Sequence, residues 1–275
     1  MINKAADTSA APWNTLNSMA FVRRPGHYPG FAARLTNMVG KPIELVGDVL
    51  PTYARRAIAI ATSKALQAAL KVALRTMPRS HHAGSQFLHK ALAMASGAAG
   101  GAFGLATLPV ELPVSTIIML RSIAAIARNE GEDPSDPEAA LSCIQVFALG
   151  GRTGSADPSE SGYFAVRAML AKSVTEAARF IAERGIIEEG APVLVRFTTL
   201  VASRFGVVLS QKFVAQALPV VGALGGASVN YMFIEHFQDI AQGHFTVRRL
   251  ERVYGKDVVR AEYERLANVT EPQAT

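Results

Sequence analysis

Apolar residues recur along this chain at helical rather than alternating spacing. From Lys41 to about Met77 the sequence is alanine-rich, with Pro42 suited to a first helical turn and Pro51 to a break or kink. Within it Arg56, Lys64, Gln67, Lys71 and Arg75 fall on one side of a helix, while Ala59, Leu66, Ala69, Leu70 and Ala73 line the other. Such a helix either lays a solvated face over a core-facing stripe or offers a basic face to a membrane surface.

Ser85 can cap a second helix. Ala91 to Leu120 is a run of 30 residues with a single charge, Glu111. A span needs about 20 apolar residues, so length alone would allow one. Pro109, Glu111 and Pro113, together with Gly97, Gly100, Gly101 and Gly104, argue against a straight crossing. The pattern predicts two helices, roughly 85–107 and 112–129, joined by a tight turn at Leu108-Pro-Val-Glu-Leu-Pro113. Gly97/Gly101 and Gly100/Gly104 are G-x-x-x-G pairs, which let another backbone approach closely. Phe213 to Ile234 repeats the texture: 22 uncharged residues, interrupted by Pro219, with Gly225 and a Gly222/Gly226 pair. The two apolar regions are expected to pack together.

Two punctuated helices lie between them. Ser135 or Asp136 can cap the first, with Pro137 in its first turn and Gly150-Gly151 at its end. Asp157, Pro158 and Glu160 repeat the device for a helix that runs to Arg184 and stops at Gly185. From about Pro192 successive helices are expected, with breaks at Gly206, Pro219, Gly243 and Gly255 and with Asp257 capping the last. No period-two alternation bounded by hairpin turns occurs. The prediction is an all-α multi-helix bundle with the two glycine-rich apolar helices at its centre. Residues 1–40 are read as an irregular arm that Trp13, Phe21 and Tyr28 could dock, 41–268 as one helical domain, and 269–275 as a disordered tail.

Composition sharpens this picture. Of 275 residues 49% are apolar and 18% charged, against about 25% charged in an ordinary soluble domain. Such a chain buries more than it exposes or has a non-aqueous neighbour. The net charge of +6 is uneven: residues 1–90 hold twelve Lys/Arg against three acids, the remainder sixteen against nineteen. A basic N-terminal third points to anionic lipid rather than nucleic acid, because no zinc-finger spacing, recognition-helix pattern or aromatic RNA-binding signature accompanies it. Met1 to Gly30 lacks the apolar core of a cleaved secretory signal, so an intracellular protein is expected.

The usual catalytic motifs are missing from the sequence. It has no G-x-S-x-G elbow, no H-E-x-x-H and no G-x-G-x-x-G, and Gly150-Gly-Arg-Thr-Gly-Ser155 lacks the lysine of a phosphate-binding loop. The expectation is a non-enzyme without a cofactor. Cys143, the single cysteine, sits in an apolar helical stretch and reads as an inert core thiol. Glu235 and Asp239 share a helix face with His236 nearby, followed by Gln242 and His244; this reads as a hydrogen-bonded polar face, since no second acidic helix supplies metal ligands. His81-His82 reads as an exposed loop. Glu111, Arg121 and Asn230 interrupt apolar surroundings. Glu111 and Arg121 are either a structural lock or a polar point in an apolar groove that orients a lipid headgroup; they pair directly only if the turn folds back.

These residues carry a resemblance. Gly97-x-x-Gly-Gly-x-x-Gly104, Leu-Pro-Val-Glu-Leu-Pro113, the apolar run into Leu120-Arg121-Ser-Ile-x-x-Ile-Ala127, and Gly131-Glu-Asp-Pro-x-Asp-Pro-Glu138 together resemble the core signature of the EcsC protein family. Leu218-Pro-Val-Val-Gly-Ala-x-x-Gly226, Asn230 and Ala241-x-x-His244-Phe resemble its second block, so the likeness covers roughly residues 55–265. It departs in a turn one residue shorter and in Glu111 where the family more often has Asp. The resemblance implies an all-helical, membrane-associated bacterial protein, of a family named for a neighbourhood with an ABC transporter, and no proven activity.

Two functions are therefore expected. One is an accessory or regulatory factor at the cytoplasmic face of the membrane, its Arg56, Lys64, Lys71 and Arg75 on anionic lipid, with a membrane protein such as a transporter as partner. The other is a soluble helical domain whose apolar cavity binds or hydrolyses a lipid or peptide, with Glu111, Arg121, Asn230, His236 and Asp239 as polar landmarks.

Overall fold

The computed structural model describes residues 31–39, 50–76, 108–151, 161–184, 191–217 and 222–270, and among them finds eight helices and no strand. In chain order they are α1 (Phe31–Val39), α2 (Thr52–Thr76), α3 (Leu108–Asn129), α4 (Pro137–Leu149), α5 (Ser161–Arg184), α6 (Pro192–Ala217), α7 (Gly222–Tyr254) and α8 (Lys256–Thr270). The all-α reading holds.

The helix at the centre is α4. Every residue from Ala139 to Gly151 is buried, and α4 packs against α2, α3, α5, α6 and α7. Its start follows from local chemistry: Asp136 is the N-cap, its carboxylate accepting from the Ala139 amide at 3.2 Å, with Pro137 in the first turn. The preceding turn is built with equal economy. α3 ends in a Schellman motif, in which the Glu132 amide reaches the Ala127 carbonyl and the Gly131 amide reaches that of Arg128, with Gly131 at φ +81°. That left-handed step turns the chain from α3 toward α4 and delivers Glu132 to the side of α7.

α2 opens on the Pro51 carbonyl and carries eight alanines, a helix-favouring composition. Leu66, Ala69, Leu70 and Ala73 are buried as the pattern predicts, whereas Ala59, nearer the start of α2, is exposed. α3 and α7, which contain parts of the two apolar regions, do pack together, and a buried hydrogen bond from Gln238 to Ser122 crosses the contact at 2.6 Å. Gly97, Gly100, Gly101 and Gly104 lie outside the described residues, as do Trp13, Phe21, Tyr28, the histidines at 81 and 82, the caps at 157–160, Gly185 and Pro219. Gly222, Gly225 and Gly226 lie in the first turns of α7.

Four expectations change. The segment 108–113 is helical and opens α3, with Pro113 inside the helix, where a tight turn was expected; Pro109 is tolerated because first-turn amides lack intrahelical acceptors anyway, and Pro113, one turn further in, leaves the Pro109 carbonyl without its helical donor. α6 and α7 run unbroken through Gly206 and Gly243. A glycine costs a helix about 1 kcal/mol, which packing along 26- and 33-residue helices outweighs. The break at Gly255, φ +89°, is real, but α8 begins at Lys256 and Asp257 lies in its first turn, not at its cap. Finally, the arm expected over residues 1–40 ends in helix α1, which docks on α6 and α7 and buries Phe31 and Leu35.

Candidate functional site

The polar residues singled out in the sequence do not converge on one pocket. Glu111, in the first turn of α3, finds Lys212 of α6: Nζ stands 3.4 Å from Oε1, with the lysine side chain 0% and the glutamate 7% exposed. The ammonium also lies 4.9 Å from the centre of the Phe233 ring and 5.7 Å from that of Phe213. Burial pushes the Lys212 amine below its ordinary range, and the Glu111 carboxylate opposes that push. Arg121 is exposed on α3, so the partner of Glu111 is Lys212 and not Arg121. Lys212 immediately precedes the uncharged run that begins at Phe213; a charge at the edge of such a run was the available signal.

His236 and Asp239 belong to two further arrangements on α7. The first closes the C-terminus of α4. Its carbonyls need acceptable donors, and α6 and α7 supply them. Arg204 donates to the carbonyls of Ala148 at 3.0 Å and Gly151 at 2.6 Å, and His236 Nε2 to that of Gly150 at 3.1 Å. A carbonyl only accepts, so Nε2 carries the proton. The glycines permit the approach: a Cβ on Gly150 would collide with the Phe237 ring, and one on Gly151 with the Arg204 carbonyl.

The second arrangement holds α1. Arg34 divides its guanidinium between Glu235, at 3.0 Å, and Asp239, at 2.7 Å. Phe31 meets Phe233 edge-on, centroids 5.4 Å apart, and lies 5.7 Å from the His236 ring. The acidic pair on one face of α7 is thus the seat of an arginine, and among the described residues no group of three or more His, Cys, Asp or Glu is arranged to hold a metal ion. Asn230 is buried on the same helix.

Sequence reasoning also missed a lattice of arginines along the end of α7. Arg248 binds Glu132 through two hydrogen bonds at 2.9 and 3.2 Å, Arg252 reaches the same carboxylate, and Arg249 takes Glu130 at 2.7 Å. Burial pushes the Glu132 carboxyl up, but Arg248 and Arg252 outweigh it and hold the group below its ordinary range. On α5, Arg167 grips Glu251 with two bonds at 2.8 Å, and the Tyr163 hydroxyl lies 3.0 Å from His244 Nδ1. Burial keeps His244 neutral well below the usual histidine range and keeps the Tyr163 phenol protonated. His244 Nε2 has no hydrogen-bond partner among the described residues. Cys143, in the middle of α4, is wholly buried, and burial pushes its thiol up to about 12. The Arg167–Glu251 and Tyr163–His244 contacts tie α5 to α7.

The outer surface is different. α2 exposes Arg56, Lys64, Gln67, Lys71 and Arg75 in one stripe, contains no acid, and sets Tyr53 and Ile60, 71% and 52% exposed, in the same stripe. Thr52–Arg75 and Pro192–Ala215 are long and apolar enough to cross a membrane by length and composition, with 50% and 39% of their most apolar windows buried inside the bundle.

Comparison with known proteins gives one finding. Neither the curated proteins nor the solved structures contain a significant match. The model of the EcsC protein family matches residues 28–250. That match takes in α1, which the motifs alone had not reached, and runs into the last turns of α7; this chain belongs to the EcsC protein family.

Proposed function

We propose that the chain attaches peripherally to an anionic membrane surface through α2 and serves there as an accessory factor rather than a catalyst. The observation that carries this reading is the exposed face of α2, four cations with no acid in the helix and with Tyr53 and Ile60 among them. Cations interleaved with an aromatic and a branched aliphatic side chain are the composition of a helix that lies in a lipid interface. Each basic residue near an anionic surface is worth about 1 kcal/mol, so four together support binding without insertion. The opposite face of α2 is already covered by α3, α4 and α6, which favours lying on the membrane over crossing it. The cytoplasmic leaflet carries the negative surface potential and is the proposed address. A membrane-protein partner such as a transporter would meet the chain there.

Co-sedimentation with phosphatidylcholine vesicles, with and without phosphatidylglycerol, tests the reading. Binding only to the anionic vesicles at low ionic strength, and release by a high-salt wash, is the expected result. Absence of binding to the anionic vesicles would overturn it, and retention through the salt wash would replace it with insertion.

A further inference from the structure

We propose that the surface that receives α1 is a recognition site for a short helical segment, and that α1 is a releasable strap over it whose departure uncovers the Glu111–Lys212 pair. Isolated helices shorter than about 12–15 residues are marginal in water, so the nine residues of α1 are helical because they are docked. Docking rests on one face: Phe31, Arg34 and Leu35, at i, i+3 and i+4. The acceptor is complementary, with the Phe233 and His236 rings for the aromatic group and Glu235 and Asp239 for the cation.

One ring joins this surface to the buried charges. Phe233 touches Phe31 on α1 and also carries the Lys212 ammonium 4.9 Å from its centre. The ammonium in turn has the Glu111 carboxylate at 3.4 Å, a long contact for a pair kept from water. An ammonium in an apolar interior gains when water reaches it. Removal of Phe31 from Phe233 therefore opens the interior at the place where hydration is most favourable. The contacts of α1 and the solvation of Lys212 oppose each other, which is what a two-position element requires.

Site-resolved acylation of lysines by the N-hydroxysuccinimide ester of acetic acid, read by peptide mass spectrometry on the full chain, tests the proposal. In the wild type Lys212 is expected to react far more slowly than the exposed Lys64, and the amides of α1 to exchange with deuterium faster than those between Val229 and Phe245. In Arg34→Glu and in Phe31→Ala the Lys212 rate is expected to rise at least about tenfold while the Cys143 thiol stays protected, because local opening leaves the α4-centred core closed. An unchanged Lys212 rate in both variants overturns the proposal. Loss of Lys212 and Cys143 protection in step also overturns it, since α1 would then be part of one cooperative core. If the variants do not fold, the wild-type exchange decides: α1 amides as slow as those of α7 overturn the proposal, and faster ones support it.

Discussion

The ammonium of Lys212 and the carboxylate of Glu111 meet inside the bundle from positions 101 residues apart in the chain. The ammonium is fully buried, so it depends on the carboxylate to offset its desolvation. Glu111→Ala is expected to lower stability by about 3–5 kcal/mol, because it leaves a buried ammonium without its counterion. Replacing both, Glu111→Leu with Lys212→Met, is expected to recover most of that loss. Urea denaturation of the two variants checks it; equal losses would refute the pairing.

Acid is expected to weaken the contacts of α7 with its neighbours in two separable stages, first at α5 and then at the turn between α3 and α4. Burial, assisted by the charges of Arg167 and Arg248, depresses the pKa of folded His244. The unfolded chain therefore takes up that proton first, and stability declines as pH falls below about 6.5. Glu132 is also depressed, so its contribution survives until the pH drops below the ordinary carboxylate range. His244→Phe should abolish the first decline, keep the second, and cost about 1 kcal/mol at neutral pH through the lost Tyr163 bond. Denaturation midpoints across pH check this; a first decline that persists in the variant assigns it to another group.

Two glycines predict opposite outcomes for the same substitution. At Gly151 an added methyl meets the Arg204 backbone, whereas at Gly206, in the middle of α6, it meets nothing within 4 Å. Gly151→Ala is expected to destabilise by about 1–3 kcal/mol, since the obstacle is main chain and cannot swing aside. Gly206→Ala is expected to stabilise by about 0.5–1 kcal/mol through the unfolded state and helix propensity. Thermal melts of the two variants distinguish them.

On the α2 face, Arg56→Gln and Lys64→Gln should each weaken binding to phosphatidylglycerol vesicles roughly fivefold, from about 1 kcal/mol per cation. Tyr53→Ser should reduce the part of the affinity that persists at moderate salt. Vesicle titration at two ionic strengths measures both, and a Lys64→Gln variant that binds as the wild type does would remove α2 from the interface.

Legibility in the sequence followed the range of the cause. The cap at Asp136, the stop at Gly150 and the basic stripe of α2 are written within a few residues and were readable there. α1 was hidden because its docking face is a single turn, Phe31 to Leu35, too short to show a period. Gly206 and Gly243 looked like breaks because local propensity speaks there and tertiary packing overrules it. In the polar interior the residues were legible and their pairings were not: Glu111 stood out, but Arg121 is near in sequence and Lys212 near in space. Arg34 with Asp239, and Arg204 with the end of α4, are likewise contacts that only the folded chain brings together.

Gly255 divides the C-terminal end into two interiors. Beyond it Val259 and Tyr263 of α8 close on Val247 and Leu250, with Tyr163, Phe164 and Tyr254 at the margin, as a small cluster separate from the main core. The lowest-lying partial opening of this end is therefore release of α8 at a glycine hinge, which forfeits the small cluster and leaves the interior around α4 intact. The family match stops at Leu250, in the last turns of α7 and before α8 begins. The buried residues of the main core, from Phe31 to Phe245, all lie within the matched stretch, and none of them belongs to α8.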